Sequence, residues 1–374
     1  MKEISLLIKP ASSACQLSCS YCFYRDVSNH RACATYGIMS EEVMDTLIRK
    51  VCEIVEEDGH ITFAFQGGEP LLAGLSYFEQ FVSYVRKVRK PYQVIHYAVQ
   101  TNGILIDEDW CKFFIREQVL VGISLDGYAS HHDGLRKDRN GKGTHASVLR
   151  AIRLLNEYQV SYNILTVLTR QLARHPQKLY RFYQEHNFTH IQLIPCLNDL
   201  DAKSTPFALT PELFASFYKT FFDLWVQEQR EKKIVRSISL FDNLLLMLQD
   251  KLPYQCGMIG RCFMQLVVES DGSVYPCDFY VLDEYCSGNI MKDSLDDILH
   301  HKRVHDFLSQ KSEGCDRCPD CPYYAICCGN CKRSADAYYR KDYCGYQEVL
   351  QHTVPYLQAM SQSINSWKSM NSVV

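Results

Sequence analysis

A chain of 374 residues with 47% hydrophobic and 22% charged side chains has room for one large domain and a smaller one, and its composition excludes a disordered or fibrous protein. A formal net charge of −3 gives no electrostatic case for nucleic acid or an anionic membrane surface as partner. No stretch approaches the roughly 20 apolar residues that span a bilayer, and Lys9 interrupts the short apolar run at the N-terminus, so no signal peptide is expected and the chain reads as cytoplasmic.

Taken in order, the first 200 residues alternate strand-like and helix-like segments. Strands are expected at Ile4–Ile8, Ile61–Gln66, Gln93–Gln100, Leu120–Leu125, Tyr162–Leu168 and His190–Pro195, which are rich in Val, Ile, Phe and Tyr and bounded by turn residues. Helical periodicity falls between them, near Glu41–Glu56, Tyr77–Lys87, Glu108–Glu117, Ala146–Tyr158 and Pro176–His186, with Ser40 and Asp107 as N-caps. Six such units imply a parallel sheet with right-handed crossovers. Periodicity alone leaves open whether it is an open sheet or a partial barrel. Cys15–Cys22, Gly67–Pro70, Thr101–Gly103 and Ser124–Gly127 all follow or close strands and so belong on one rim, where such folds carry function. Beyond a polar connection at Asn198–Pro206, helices are expected near Pro211–Gln229 and Ile238–Gln249, then a hairpin in which Gln265–Glu269 and Ser273–Tyr275 flank Ser270-Asp271-Gly272.

Cysteine usage is anomalous: 18 residues, 11 of them between Cys256 and Cys344 and three more at Cys15, Cys19 and Cys22. In a reducing compartment such clusters point to metal ligation rather than disulfides. Cys33, Cys52, Cys111 and Cys196 stand alone and are expected to be small buried apolar side chains. The C-x3-C-x2-C loop supplies three thiolates. A four-iron cubane takes four ligands, so three leave one iron open to an exogenous group. A structural zinc site would want a fourth local ligand, and the nearest histidine, His30, is eight residues past Cys22.

CxxxCxYC followed by Phe23 resembles the defining motif of the radical SAM superfamily, and QGGEP at Gln66–Pro70 resembles its GGEP motif. The resemblance implies a [4Fe–4S] cluster on Cys15, Cys19 and Cys22 that binds S-adenosylmethionine and cleaves it to a 5′-deoxyadenosyl radical. It also implies cofactor contacts from Tyr21 to adenine, Gly68 to the methionyl amino group, Ser124 and Arg136 to polar parts, and Leu197 to adenine. Without the resemblance, Arg136 reads as a solvated surface charge.

The second constellation, Cys262-x9-Gly272-x4-Cys277, then Cys318-x2-Cys321-x5-Cys327-x3-Cys331 and Cys344, resembles the SPASM extension of radical SAM peptide-modifying enzymes. Cys256 adds an eighth thiol. The resemblance places Cys256, Cys262, Cys277 and Cys331 on one auxiliary [4Fe–4S] cluster and Cys318, Cys321, Cys327 and Cys344 on another, for three [4Fe–4S] clusters in all. Spacing alone admits two zinc-ribbon-like sites. Cys286, Cys315 and Cys328 are surplus: Cys315 could stand in for Cys318, and Cys328 beside Cys327 leaves the ligand choice there open.

Within the superfamily, SLLIKPASSACQLSCSYCFY, FAFQGGEP, QTNG and VVESDGSVYPCDFYVLD resemble the anaerobic sulfatase-maturating enzymes over nearly the whole chain. That family implies a partial (β/α)6 barrel over residues 1–235, with linking helices to about 250, and a cysteine-rich SPASM domain with a C-terminal helix over 251–374. The implied reaction oxidises a Cys or Ser of a sulfatase peptide to Cα-formylglycine, without O2. Asp278 would serve as the base for the Sγ or Oγ proton, and Tyr24 and Gln66 as substrate contacts. Its partners would be the sulfatase polypeptide and an electron donor such as flavodoxin or ferredoxin, acting on a monomer. The rival reading is another SPASM-type peptide chemistry, thioether or C–C crosslinking, which needs no base beside Cys277. A non-catalytic zinc or electron-transfer scaffold predicts neither open cluster ligation nor GGEP.

Overall fold

The computed structural model describes residues 1–202 and 204–371, with side chains described to residue 362. Its principal strands are β1 (Glu3–Ile8), β2 (His60–Phe65), β3 (Val94–Thr101), β4 (Leu120–Ser124), β5 (Tyr162–Leu168), β6 (His190–Pro195), β7 (Ser237–Ile238), β8 (Val267–Val268), β9 (Ser273–Tyr275) and β10 (Gly288–Asn289). The chain divides into two compact units. The first contains Met1–Leu125, Ala129–Asn163 and Phe263–Ser309; the second contains Asp126–Tyr128, Ile164–Cys262 and Gln310–Val374.

In the first unit β1 pairs in parallel with β2 from Glu3 opposite His60 to Ile8 opposite Phe65, β2 with β3, and β3 with β4. Parallel pairing puts the C-terminal ends of all four strands on one rim, as the alternation of segments requires. Helices Glu41–Ile54, Leu75–Val88, Glu108–Arg116 and His145–Glu157 cross between or follow the strands. Ser40 and Asp107 accept hydrogen bonds from Val43 N and Trp110 N, so both expected N-caps are made. The apolar faces of the helices meet the strands in an aromatic core. Phe65 stands edge-on to both Phe78 and Phe81 at ring separations of 4.8 and 5.0 Å, and Phe78 edge-on to Trp110 at 5.2 Å.

The expected hairpin forms, but its first strand is short. Leu266 takes a left-handed conformation (φ 45°), leaving only Val267–Val268 extended. β8 then pairs in parallel with β1, Leu7 opposite Val267, while β9 and β10 continue antiparallel. No local sequence signal announced this extension of the sheet.

In the second unit β5, β6 and β7 pair in parallel. Helices Pro176–Glu185, Pro211–Lys232, Ser239–Met247 and Gly345–Asn371 belong to it. Tyr180 packs edge-on to Phe221 at 5.0 Å and donates to Glu228 Oε2 at 2.7 Å. Glu228 in turn takes a two-point bond from Arg236 at 2.8 and 3.0 Å, a buried fork that leaves no carboxylate oxygen of Glu228 unmatched. Among the described residues no helix is long and apolar enough to cross a membrane. Cys52, Cys111 and Cys196 are buried as expected. Cys33 is not: it is half-exposed in the loop before Ser40 and donates to Thr35 O at 3.1 Å, because no regular element encloses that loop.

Candidate active site

The loop that leaves β1 is held on both sides. Its turns close through Ser12 N to Lys9 O (3.1 Å) and Ala14 N to Ala11 O (2.9 Å). Farther along, Ser18 N donates to Lys137 O at 2.7 Å and Ser20 N to Leu135 O at 3.0 Å. Cys15, Cys19 and Cys22 project from this braced segment, each partly exposed. Cys15 Sγ accepts from Leu17 N at 3.3 Å and lies 3.7 Å from Asn102 Nδ2. Burial pushes the Cys15 thiol up to about 12, and the nearby Glu69, Cys19 and Cys22 charges push the same way. A thiol held protonated as Cys15 is, with two more soft sulfurs on the same short loop, is what a cationic iron–sulfur group relieves, since it takes them as thiolates. The donor set fits a cluster with one open corner.

The second loop approaches the first as closely as backbone allows. Gly68 has φ +50°, and a Cβ there would stand 2.3 Å from Ala14 O. Glu69 N donates to that same oxygen at 2.7 Å. The buried Glu69 carboxylate collects Thr101 Oγ1 at 2.7 Å, Leu71 N at 3.1 Å and Asn102 N at 2.8 Å, which ties the loop after β2 to the QTNG segment. Burial still raises it to about 7. Gln16 Nε2 donates to Asn102 Oδ1 at 3.2 Å.

Of the residues expected to hold the cofactor, Arg136 is buried rather than solvated, and its guanidinium lies 5.5 Å from the Tyr21 ring centroid, a cation–π pair. Ser124 is buried at the end of β4. Leu197 falls in the second unit, half-buried just after β6.

Asp278 opens a short turn, Asp278–Tyr280, and is 4% exposed, not a solvated hairpin residue. Its Oδ2 accepts from the Tyr24 hydroxyl at 2.7 Å and from Gln66 Nε2 at 2.9 Å, while its backbone N donates to Gln265 Oε1 at 2.9 Å. Its Oδ1 accepts no hydrogen bond and faces Lys9 Nζ at 3.5 Å. Lys9 is 3% exposed and lies 4.7 Å over the Tyr24 ring. Room for its stem comes from Gly67, where a Cβ would meet Lys9 Cε at 2.3 Å. Burial, then the Asp278 charge, hold the Tyr24 hydroxyl well above the usual phenol value, so it remains a donor. Tyr24, Gln66 and Asp278 are therefore brought together. Lys9, Glu69 and Gln265 were not singled out from the sequence; for Lys9 the available signal was a cation directly after an apolar strand.

The remaining cysteines divide between the units: Cys277 belongs to the first, whereas Cys256, Cys262, Cys318, Cys321, Cys327, Cys331 and Cys344 belong to the second. Cys327 and Cys344 are buried, which pushes their thiols up to about 11 and about 12. Cys321, Cys318 and Cys328 add to the effect at Cys327, and Cys315, Cys327 and Cys318 to that at Cys344. Cys344 Sγ accepts from Gln347 N at 3.3 Å, a donor suited to a thiolate.

Comparison with known proteins agrees with this geometry. The Radical SAM superfamily profile matches residues 10–183 and that of the iron–sulfur cluster-binding SPASM domain matches residues 256–322. A cysteine-type anaerobic sulfatase-maturating enzyme of Clostridium perfringens (strain 13 / Type A) is 41% identical over 97% of this chain and 100% of its own. A serine-type enzyme of Bacteroides thetaiotaomicron is 29% identical over 97% and 92%. The solved structure of native anSMEcpe with bound AdoMet and Cp18Cys peptide superposes with a TM-score of 0.88 at 38% identity, covering 97% of this chain and 99% of that one. The chain belongs to the anaerobic sulfatase-maturating enzymes, radical SAM oxidoreductases with a SPASM domain that use [4Fe–4S] clusters and S-adenosylmethionine to convert a Cys or Ser of a sulfatase peptide to Cα-formylglycine.

Proposed function

We propose that Asp278 is the base of this reaction and that a cysteine of the sulfatase peptide is its preferred target. The observation that carries the first statement is the buried carboxylate held by Tyr24, Gln66 and Lys9 on the rim that also bears the Cys15–Cys22 loop. The second is supported by the greater identity to the cysteine-type relative than to the serine-type one.

Cys15, Cys19 and Cys22 would hold the first cluster, and Tyr21, Gly68, Ser124 and Arg136 the S-adenosylmethionine. Bound there, the cofactor supplies hydrogen-atom abstraction at the target's β-carbon, and the auxiliary clusters provide an electron sink. Asp278 takes the Sγ proton. The Tyr24 and Gln66 donors fix the plane of its carboxylate through Oδ2, and Lys9 balances its charge. The thioaldehyde left on the peptide hydrolyses to the aldehyde. Tyr24 and Gln66 also stand where a substrate thiol must approach Asp278. The eight cysteines from Cys256 to Cys344 named for the auxiliary clusters would give both full thiolate ligation, which suits electron transfer. The catalytic barrel is assigned to residues 1–235 and the auxiliary domain to 251–374. The chain is taken to act as a cytoplasmic monomer, with flavodoxin or ferredoxin as donor.

Anaerobically reconstituted protein, S-adenosylmethionine and a reductant are incubated with a sulfatase-like peptide bearing Cys, and with its Ser counterpart. Aldehyde formation faster on Cys is the expected result. Deoxyadenosine release with both peptides unchanged or crosslinked would overturn the reading, and faster oxidation of Ser would overturn the target preference.

A further inference from the structure

The cysteine-rich segment of the second unit carries two thiols, Cys315 and Cys328, beyond those assigned to clusters. Cys315 precedes Cys318 by three residues and Cys321 by six. Two successive turns, Cys318 N to Cys315 O at 2.9 Å and Cys321 N to Cys318 O at 3.3 Å, bring that stretch round on itself. Cys315 is 7% exposed, and its Sγ lies 3.7 Å from Cys318 Sγ. Its backbone N also donates to Cys318 Sγ at 3.3 Å. Gly314 has φ +74°, and a Cβ there would come within 3.3 Å of Cys318 Sγ, so a glycine keeps the sulfur pair uncrowded. On the other side, Asp316 N donates to Lys341 O at 2.8 Å, which anchors the turn to the small hairpin of Tyr339–Arg340 and Tyr343–Cys344.

The separation of the two sulfurs carries the argument. Two thiolates bound to one tetrahedral metal at about 2.3 Å each stand roughly 3.8 Å apart. Thiolates on different irons of a cubane stand farther apart, because the metal–metal edge is added. Cys315 and Cys318, at 3.7 Å, therefore address the same metal corner rather than two different ones. On the assignment made above, Cys321, Cys327 and Cys344 would supply the other three.

We propose that one iron of the second auxiliary cluster has two interchangeable ligands, Cys318 and Cys315, so that either thiolate sustains the cluster when the other is lost. The inference rests on the assignment of Cys318, Cys321, Cys327 and Cys344 to one cluster. Its chemistry is ligand exchange: the departing sulfur takes a proton, the arriving thiol gives one up, and iron keeps its oxidation state.

The test uses the full chain, reconstituted anaerobically with iron and sulfide. Iron and sulfide are counted per chain, the reduced protein is examined by electron paramagnetic resonance, and far-ultraviolet circular dichroism verifies folding. Wild type holds about 12 irons if all three cubanes are present. Cys315→Ala and Cys318→Ala are each expected to retain about 12 with near-native resonances, whereas the double variant and Cys321→Ala, left with three thiolates for that cluster, lose its native resonance while the iron count falls from about 12 toward about 8. Serine versions of the three variants repeat the count with less change in volume. If Cys318→Ala alone loses the native resonance as the double variant does, Cys315 is no ligand and the proposal is overturned. It is equally overturned if Cys315→Ala alone loses it. Native resonances together with about 12 irons in Cys321→Ala would instead refute the four-cysteine assignment beneath the proposal.

Discussion

Replacing Lys9 with Met tests the base site without touching a cluster ligand. The side chain keeps much of its length but loses its charge. Lys9 Nζ and Asp278 Oδ1 are 3.5 Å apart with side chains 4% and 6% exposed, so solvent screens the pair little. At an effective dielectric of about 20 the attraction over that distance is about 5 kcal/mol. Desolvation of both ions offsets part of it, but removing one partner strands the other charge, and a broken buried pair costs about 3–5 kcal/mol. Asp278 still has the Tyr24 and Gln66 donors on Oδ2, so the loss should fall at the lower end of that range. The assay is an anaerobic thermal melt of the loaded protein followed by circular dichroism, for Lys9→Met, Asp278→Asn and the double variant. Each single variant is expected to melt lower by roughly 5–10 °C. The double variant, which buries no unpaired charge, should lie above the sum of the two losses by about 2 kcal/mol or more. Strict additivity would refute the claim that the two charges stabilise each other.

Asp278→Asn should spare deoxyadenosine release while lowering aldehyde formation by about 10²–10⁴-fold, as read by coupled chromatography and peptide mass spectrometry; aldehyde at the wild-type rate would remove Asp278 as the base. Gly67→Ala puts a methyl group against Lys9 Cε at a φ of +94°, and should cost about 1–3 kcal/mol from backbone strain alone. By displacing the Lys9 stem beneath Asp278, that variant should also slow aldehyde formation, read by peptide mass spectrometry. Glu69→Gln turns an amide donor toward either Asn102 N or the Thr101 hydroxyl; a loss of about 1–3 kcal/mol and weaker S-adenosylmethionine binding by isothermal titration are expected. Stripping iron with a chelator should abolish deoxyadenosine release and lower the melting temperature of the cysteine-rich segment, whose many thiols lose their common partner.

Much of the architecture was legible because it is locally encoded. The strands from Glu3–Ile8 to His190–Pro195 and the helices between them announce themselves by periodicity, and Ser40 and Asp107 mark helix starts by side-chain chemistry. The cluster loop and GGEP were legible because their spacing is itself the chemistry. What stayed hidden depends on contacts distant in sequence. The pairing of Val267 with Leu7 spans most of the chain, and no periodicity records it. The burial of Asp278 likewise depends on Lys9, Tyr24 and Gln66, which only the folded sheet rim assembles. Arg136 looked solvated because its partner, the Tyr21 ring, lies over a hundred positions away. The short extent of the first hairpin strand reflects one left-handed residue, Leu266, whose side chain gives no hint of that conformation.

That late pairing bears on how the protein is made. While a ribosome is still extending the chain, β1 presents unmatched amide and carbonyl groups along one side until Val267 and Val268 emerge, far later in the chain. Such distant closure is slow to reach. A nascent chain halted before residue 263 would carry an adhesive border next to its unfilled cysteine loop, a surface open to pairing with another chain.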